Sequence, residues 1–174
     1  MSDKLNRFKE IVGEVSDIGR AASVLGWDQQ VNMPPGGGEA RGQQLATLGK
    51  LAQEKFTSDE MGQLLEDLQK EYTDADSDEG AMVRVAARNY DKAKRVPPEF
   101  VAEQAMAATK AFEAWVEAKG KSDFSIFLPH LEKNVDLIKK YVSFFPPADH
   151  PYDVLLDDYE PGMKTAEVRE IFGN

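Results

Sequence analysis

Histidine is the side chain best suited to holding a catalytic metal, and this sequence has two, His130 and His150. The helix of a zinc peptidase carries two imidazoles one turn apart with a glutamate between them, the His-Glu-x-x-His motif. Here the second histidine follows twenty positions after the first, and neither belongs to a Glu-x-x-His or His-x-His pattern. The sequence therefore predicts no metal ligand and no catalytic residue. We expect His130 on the surface or in the packing of a helix, and His150 hydrogen-bonded locally in a loop.

Other patterns of catalysis or metal binding also fail. The chain has no cysteine, so it forms no disulfide and no zinc–thiolate site. The acidic run that starts at Asp74 imitates a calcium loop, but Glu79 replaces its required glycine and Val85 its bidentate glutamate. No serine has the histidine and aspartate partners of a hydrolase triad. The carboxylates of residues 157–160 are adjacent and share no helix face, so they indicate a solvated loop, a set of caps or the wall of a cleft.

The charge of the chain restricts its partners. The formal net charge is -10, which opposes binding to nucleic acid and to anionic membranes. The charged N-terminal residues exclude the apolar core of a secretory signal, and no run of residues is long and apolar enough to cross a bilayer. We expect a cytoplasmic protein that binds neither nucleic acid nor membrane.

Residues 26–42 form a connection of unusual composition. Trp27 and Met33 are large apolar side chains, Pro34 and Pro35 stiffen the backbone, and three glycines follow at 36–38. The glycines favour a tight turn over a phosphate loop, since no strand precedes them and no Gly-Lys-Ser/Thr follows. A third interpretation is that their N–H groups bind a peptide carboxylate with help from Arg41.

The elements that hold these residues are helices. Apolar residues recur at three- and four-residue steps, which predicts an all-α fold of about six or seven helices. We expect the first helix to be capped by Asp3, to end at Gly26 and to have a neighbouring helix close to Gly13 and Gly19. The second is predicted over 38–55, with Leu45, Leu48, Leu51 and Ala52 buried.

Capping and proline signals place the later helices. Thr57 is the predicted cap of the third helix, and an acidic segment at 73–80 precedes the fourth. The predicted apolar faces carry Met61, Leu64, Leu65 and Leu68 in the third helix and Met82, Val85, Ala86 and Tyr90 in the fourth. Pro98 starts the fifth, whose apolar face includes Phe112 and Trp115. A sixth helix, capped by Ser122 or Asp123, is expected to run to about Phe145, with Pro129 as a kink or as its true start. A last helix begins at Thr165.

Four separated segments resemble the carboxypeptidase Taq family of zinc metallocarboxypeptidases. They are residues 25–48 (LGWDQQVNMPPGGGEARGQQLATL), 95–100 (RVPPEF), 122–135 (SDFSIFLPHLEKNV) and 150–163 (HPYDVLLDDYEPGM). The Trp-Asp-Gln, Met-Pro-Pro-Gly and Asp-x-Tyr-Glu-Pro-Gly signatures are specific in combination, and their order and spacing also agree with the family.

The resemblance implies an all-α, deep-grooved cytosolic enzyme, often a homodimer, that removes C-terminal residues from peptides with zinc or cobalt. The family's metal ligands and catalytic glutamate come from a later part of the chain, so none transfers to residues 1–174. We expect one all-helical region that lacks the catalytic lobe at its C-terminal end. Trp27, Asp28, Asp158 and Tyr159 match signature positions, and the resemblance implies that they shape the substrate groove or support it.

Two functional interpretations remain open. In the first, the chain is the N-terminal lid or groove wall of a metallocarboxypeptidase, inactive until a catalytic segment is supplied, and it exposes a large apolar patch. In the second, it is a self-sufficient helical module for dimerisation or partner binding, with a polar surface. A symmetric dimer that covers an exposed apolar face fits both.

Overall fold

The computed structural model of the chain describes residues 2–74 and 76–173. Within these residues there are eight α-helices and no strand, so the predicted all-α fold is confirmed. The helices are α1 (Asp3–Val31), α2 (Gly38–Phe56), α3 (Asp59–Glu71), α4 (Asp78–Ala93), α5 (Pro98–Lys121), α6 (Leu128–Val142), α7 (Tyr152–Leu156) and α8 (Thr165–Gly173). A 3-10 turn, Phe124–Ile126, precedes α6. Ala75, inside the predicted acidic segment, and Asn174, at the end of the predicted last helix, lie outside the described residues.

The chain divides into two compact units, Met1–Asn134 and Val135–Asn174. The first contains α1 to α5 and the start of α6, and the second contains the rest of α6 with α7 and α8. No helix of the described residues is both long enough and apolar enough to cross a membrane.

The core of the first unit joins the N-terminal part of α1 to α3 and α4. Its buried side chains recur at helical spacing, and burying each large one contributes about 1.5–3 kcal/mol. The predicted apolar face of α4 was wrong at Met82 and Val85, which are exposed, because the side of the helix that carries Val83 and Ala87 meets the core instead. They are Leu5, Phe8 and Ile11 of α1, Met61, Leu65 and Leu68 of α3, and Val83, Ala86 and Ala87 of α4.

Helices α2 and α5 pack through small residues. A Cβ added to Gly42 would lie 3.5 Å from the Cβ of Thr109, and one added to Gly49 would lie 3.3 Å from Val101. The buried positions of α2 are Gly38, Gly42 and Ala46, so its backbone approaches α5 closely. The predicted burial of the leucines of α2 is only partial, and Leu51 is exposed.

The expected close neighbour of Gly13 and Gly19 is absent from the described residues. A Cβ added at either position would meet nothing within 4 Å. The fully buried residues of α1 end at Ile11, and Val12 and Val15 still pack against the core, but Gly13 and Gly19 lie on the exposed side of the helix. The prediction was wrong because helical periodicity shows which residues share a face, and not whether another helix covers it.

The predicted helix caps are displaced by one residue at two helices. Ser2 caps α1 instead of Asp3, because its Oγ accepts a hydrogen bond from the Leu5 N–H. Ser58 caps α3 instead of Thr57 and accepts from the Met61 N–H at 3.3 Å. Both serines have extended backbone conformations, which the capping position requires.

The starts of α5 and α6 follow the proline signals. Pro98 begins α5, as predicted, and Asp123 caps the 3-10 turn by accepting from the Ser125 N–H at 3.0 Å. Helix α6 starts at Leu128, directly before Pro129, which therefore marks the start of the helix. The helix ends at Val142, three residues before the predicted end.

Trp115 is not in the core, contrary to its predicted role on the apolar face of α5. It is 43% exposed, its ring lies 6.0 Å from that of Phe112, and the Lys119 ammonium is 5.0 Å from the ring centre. Helix α5 is buried instead along a narrow stripe of small residues that includes Ala111 and Ala114. The indole lies beside that stripe, where the larger side chain has room.

Candidate functional site

Trp27 and Asp28, predicted to shape a groove, lie on the last turns of α1 in the first unit. The sequence placed a loop from Gly26 onward, but the helix continues to Val31. It closes where the Asn32 N–H donates to the Asp28 carbonyl at 2.9 Å. Gly26 is therefore inside the helix, and both signature side chains are held by regular helical backbone.

An ion pair fixes Asp28 to the start of α2. The Arg41 Nη2 donates to the Asp28 Oδ2 at 2.5 Å, and its Nη1 donates to the Leu25 carbonyl. Arg41 is only 11% exposed in its side chain, and Asn32 adds a 3.3 Å hydrogen bond to the other carboxylate oxygen. Hydrogen bonding from Arg41 lowers the pKa of Asp28, against a smaller opposing effect of burial. Asp28 is therefore a charged anchor between two helices, and its proton affinity does not suit a general acid.

Trp27 faces away from the protein. Its side chain is 60% exposed, and Val24 and Val31 are exposed on the same side of the helix at three- and four-residue spacing. We call these three residues the α1 apolar face. An apolar helical face that nothing covers is suited to contact with a peptide or with another helix.

The glycine connection forms a tight turn against a carboxylate of α5. Gly36 has a φ of +89°, and the Gly37 N–H donates to the Pro34 carbonyl at 3.1 Å. A Cβ added to Gly38 would lie 2.0 Å from the carboxyl carbon of Glu113. Glu113 thus places negative charge beside the N-terminus of α2, where the helix dipole favours it. This geometry supports the tight-turn interpretation. The Glu113 carboxylate already occupies the position that an external carboxylate would take.

A groove of about 360 Å³ lies between α1, α2 and α5 of the first unit. Gly26 and Gln29 line it from α1, Leu45 from α2, and Ala108 and Phe112 from α5. The walls are mostly apolar, with amide groups at one side. An extended apolar segment fits such a surface better than a charged ligand does.

Asp158 and Tyr159, the other two predicted residues, lie in the second unit after α7. Tyr159 is 85% exposed. The Tyr141 hydroxyl donates to the Asp158 Oδ2 at 3.4 Å. Burial, and then the charge of Asp158, raise the pKa of Tyr141 to about 12, so this phenol stays protonated at neutral pH.

The turn that presents these two residues is closed by Asp157, which begins the acidic run 157–160 and for which a solvated loop, a cap or a cleft wall was predicted. Its Oδ1 accepts from the Gly162 N–H at 2.9 Å, and Gly162 has a φ of +86°. The first and last residues of the Asp-x-Tyr-Glu-Pro-Gly signature thus bond to each other. An aspartate five positions before a glycine that follows proline was the available signal.

A residue that the sequence analysis missed, Asp153, joins α7 to α8. It is 5% exposed, and its Oδ1 accepts from the Thr165 N–H at 2.8 Å and from the Thr165 hydroxyl at 2.6 Å. Hydrogen bonds from Thr165 lower its pKa. The prolines at 146, 147 and 151 predict a break in the helices at residues 146–151. The sequence does not predict the short α7 that follows, because five residues are too few to show a helical period.

The two histidines occupy the predicted kinds of position. His130 is half-buried on α6, and the His150 Nδ1 accepts from the Tyr152 N–H at 3.1 Å, which confirms its local hydrogen bond. Within residues 2–74 and 76–173, no three histidine or carboxylate side chains lie close enough together to hold a metal ion. The side chains of these residues therefore do not fit a metal centre.

Comparison with known proteins agrees with the family resemblance of the four segments. The family model for carboxypeptidase Taq (M32) metallopeptidases matches residues 7–174. Carboxypeptidase 1 of Bacillus subtilis is 33% identical over 168 residues, which are 95% of this chain and 33% of that protein. Thermostable carboxypeptidase 1 of Pyrococcus furiosus is 39% identical over 155 residues, 89% of this chain and 31% of that protein.

The fold agrees as well. The BsuCP crystal structure superposes with a TM-score of 0.93 at 31% identity, over 99% of this chain and 35% of that one. The chain spans about a third of the length of the relatives that it matches. The chain corresponds to an N-terminal portion of such a protein. Because the family model matches nearly the whole sequence, the chain belongs to the carboxypeptidase Taq (M32) metallopeptidase family.

Proposed function

We propose that this chain is the helical lid or groove wall of a metal-dependent carboxypeptidase that removes C-terminal amino acids from peptides, and that it is inactive alone. The observation that carries the proposal is the lack of a metal-binding group among the described residues of a chain that belongs to a metallopeptidase family. In the complete enzyme, zinc or cobalt and the catalytic glutamate would come from the catalytic lobe. The acidic, cysteine-free composition favours a cytoplasmic location.

Exposed apolar side chains in the first unit support a role beside another surface. The α1 apolar face is one group. A second group, on α5 and the segment that follows it, comprises Trp115, Val116, Phe124, Leu128 and Leu131. Their exposure in a strongly charged chain fits the contact surface of a larger assembly, and it does not fit the polar surface expected of a self-sufficient module. Within this proposal, Trp27 and Tyr159 contact the peptide, while Asp28 and Asp158 hold the helix end and the turn that present them.

The first experiment is a carboxypeptidase assay of the purified chain on a blocked dipeptide, with zinc or cobalt added and bound metal measured. We expect no hydrolysis and no stoichiometric metal. Hydrolysis that a chelator abolishes would show that the chain builds a metal site of its own, and the proposal that it is inactive alone would be wrong.

A chimera tests the groove role directly. This chain replaces the matching N-terminal part of Bacillus subtilis carboxypeptidase 1, and kcat and KM are measured for peptide hydrolysis. We expect activity, with KM raised by Trp27→Ala and by Tyr159→Ala. The matched control is Tyr152→Ala, which removes an exposed aromatic side chain outside the signatures and outside the second apolar group. An active chimera whose KM responds equally to all three substitutions would remove the groove role.

The exposed apolar groups also favour a second candidate, self-association into a homodimer. Sedimentation of the isolated chain as a function of concentration measures it. We expect Trp27→Ser to weaken association if the α1 apolar face forms the contact, and Leu131→Ser if the second group does. A monomer at all concentrations would eliminate the homodimer and leave the groove wall.

A further inference from the structure

A small cavity of about 200 Å³ lies between α5 and the first turns of α6, away from the signature residues. Met106 and Ala107 of α5 line it with apolar groups. Four titratable side chains complete the lining, namely Glu103 and Lys110 from α5 and His130 and Lys133 from α6. The residues of α5 are spaced by three and four positions and so share one side of that helix.

The charges around this cavity are of both signs. The Lys133 Nζ donates to the Glu103 Oε1 at 2.6 Å, which bridges the two helices. Within residues 2–74 and 76–173, no carboxylate pairs with Lys110, and the His130 ring has no hydrogen-bond partner. A ligand therefore finds one carboxylate, two ammonium groups and one imidazole around an apolar floor.

We propose that this cavity binds a free amino acid with an aliphatic side chain. The ammonium group of such a ligand pairs with Glu103, its carboxylate pairs with Lys110 and Lys133, and its side chain lies against Met106 and Ala107. A simple anion would leave Glu103 repelling it, and a simple cation would meet two lysines, so a zwitterion matches the rim better than either. The choice of amino acids among zwitterions rests on the proposed function, because they are the products of a carboxypeptidase.

The two histidines of the sequence provide the measurement. His130 lines the cavity and His150 lies in the other unit, so imidazole ¹H–¹³C NMR signals of the isolated chain give one reporter and one internal control. L-leucine is titrated to about 10 mM, since a ligand of this size binds with a Kd on the order of 1 mM. We expect a saturable shift of the His130 signal and an unchanged His150 signal. Equal movement of both signals, or none, overturns the proposal.

Ligand analogues separate the two charges. N-acetyl-leucine lacks the ammonium group and leucinamide lacks the carboxylate, and we expect each to bind at least about tenfold more weakly than leucine. Glycine keeps both charges without the side chain and is expected to bind more weakly as well. If N-acetyl-leucine binds as well as leucine, the cavity recognises an anion and the assignment to amino acids is wrong.

Two substitutions with matched controls complete the test. Ala107→Leu fills the cavity, and Ala40→Leu makes the same change at an exposed position of α2 that lines neither the cavity nor the groove, so only the first is expected to abolish the shift. Glu103→Gln removes the partner of the ammonium group, while Glu117→Gln removes an exposed glutamate paired with Lys121. We expect Glu103→Gln alone to weaken leucine binding about tenfold. If the chain binds leucine but the chimera is inactive, the result counts against the proposed function only. If the chimera is active but the chain does not bind leucine, the result counts against this inference only.

Discussion

Replacing the exposed glycines of α1 by alanine should stabilise the isolated chain. Gly13 and Gly19 are interior helix positions, and a Cβ at either would meet nothing within 4 Å. Alanine restricts the unfolded backbone without creating a clash, so each substitution is worth about 0.8–1 kcal/mol. The six-residue separation places them about 9 Å apart along the helix, which makes the two effects close to additive. We expect Gly13→Ala/Gly19→Ala to raise the free energy of unfolding by about 2 kcal/mol and Tm by about 4–8 °C.

Urea denaturation and a thermal melt, both followed by circular dichroism, measure the effect. Gly80→Ala is the control, because its Cβ would lie 1.9 Å from the backbone carbonyl oxygen of Asp74. A backbone atom cannot rotate away as a side chain can, so we expect a loss of about 1–3 kcal/mol there. A neutral or destabilising result for Gly13→Ala would refute the reasoning, since it would mean that a surface such as a second copy already occupies the space beside this glycine.

Three further predictions concern the charged contacts and the absence of a metal group. Asp28→Asn should lower Tm at neutral pH, because Arg41 lowers the pKa of Asp28 in the folded state. The difference from the parent should disappear as pH falls through that depressed value, below the ordinary 3.8, and a difference that persists in acid would contradict the ion-pair explanation. Asp153→Asn should increase hydrogen exchange at the Thr165 amide, with Asp136→Asn, an exposed aspartate of α6, as the control that leaves this amide unchanged. Addition of EDTA should leave the Tm of the isolated chain unchanged, and a fall that zinc reverses would reveal a structural metal.

The stability of the second unit should also fall as the pH is lowered. The pKa of Asp153 is lowered by the hydrogen bonds from Thr165, so its contribution to stability is present above the ordinary value of 3.8 and is lost as pH falls through the folded-state value. The pKa of Tyr141 is shifted in the opposite direction, to about 12, and the hydroxyl remains a neutral hydrogen-bond donor to Asp158 throughout the neutral pH range.

The sequence by itself determined the fold class, the family and the lack of a zinc motif. Helical spacing of apolar residues is a local property. It correctly indicated the buried Met61, Leu65 and Leu68 of α3. In α4 it placed Met82 and Val85 on the apolar face, and both are exposed, whereas Val83 and Ala87 are buried. Proline and capping signals act within one turn. Pro98 and Pro129 mark the starts of α5 and α6, whereas the predicted caps of α1 and α3, Asp3 and Thr57, were each wrong by one residue. The lack of the zinc motif could be established without a structure, because a motif of two histidines one helical turn apart is defined by their spacing in the sequence.

Tertiary structure alone decided which of these residues can act together. Arg41 extends α1 past Gly26 by bonding to Asp28 thirteen positions earlier, and Asp153 reaches Thr165 twelve positions later. Whether Trp115 is buried or exposed depended on which side of α5 packs against α2. Helical periodicity does not show which side that is. The charged cavity between α5 and α6 joins residues thirty positions apart, Glu103 and Lys133. Contacts at such distances depend on how the helices pack, and a pattern read along one helix does not contain that information.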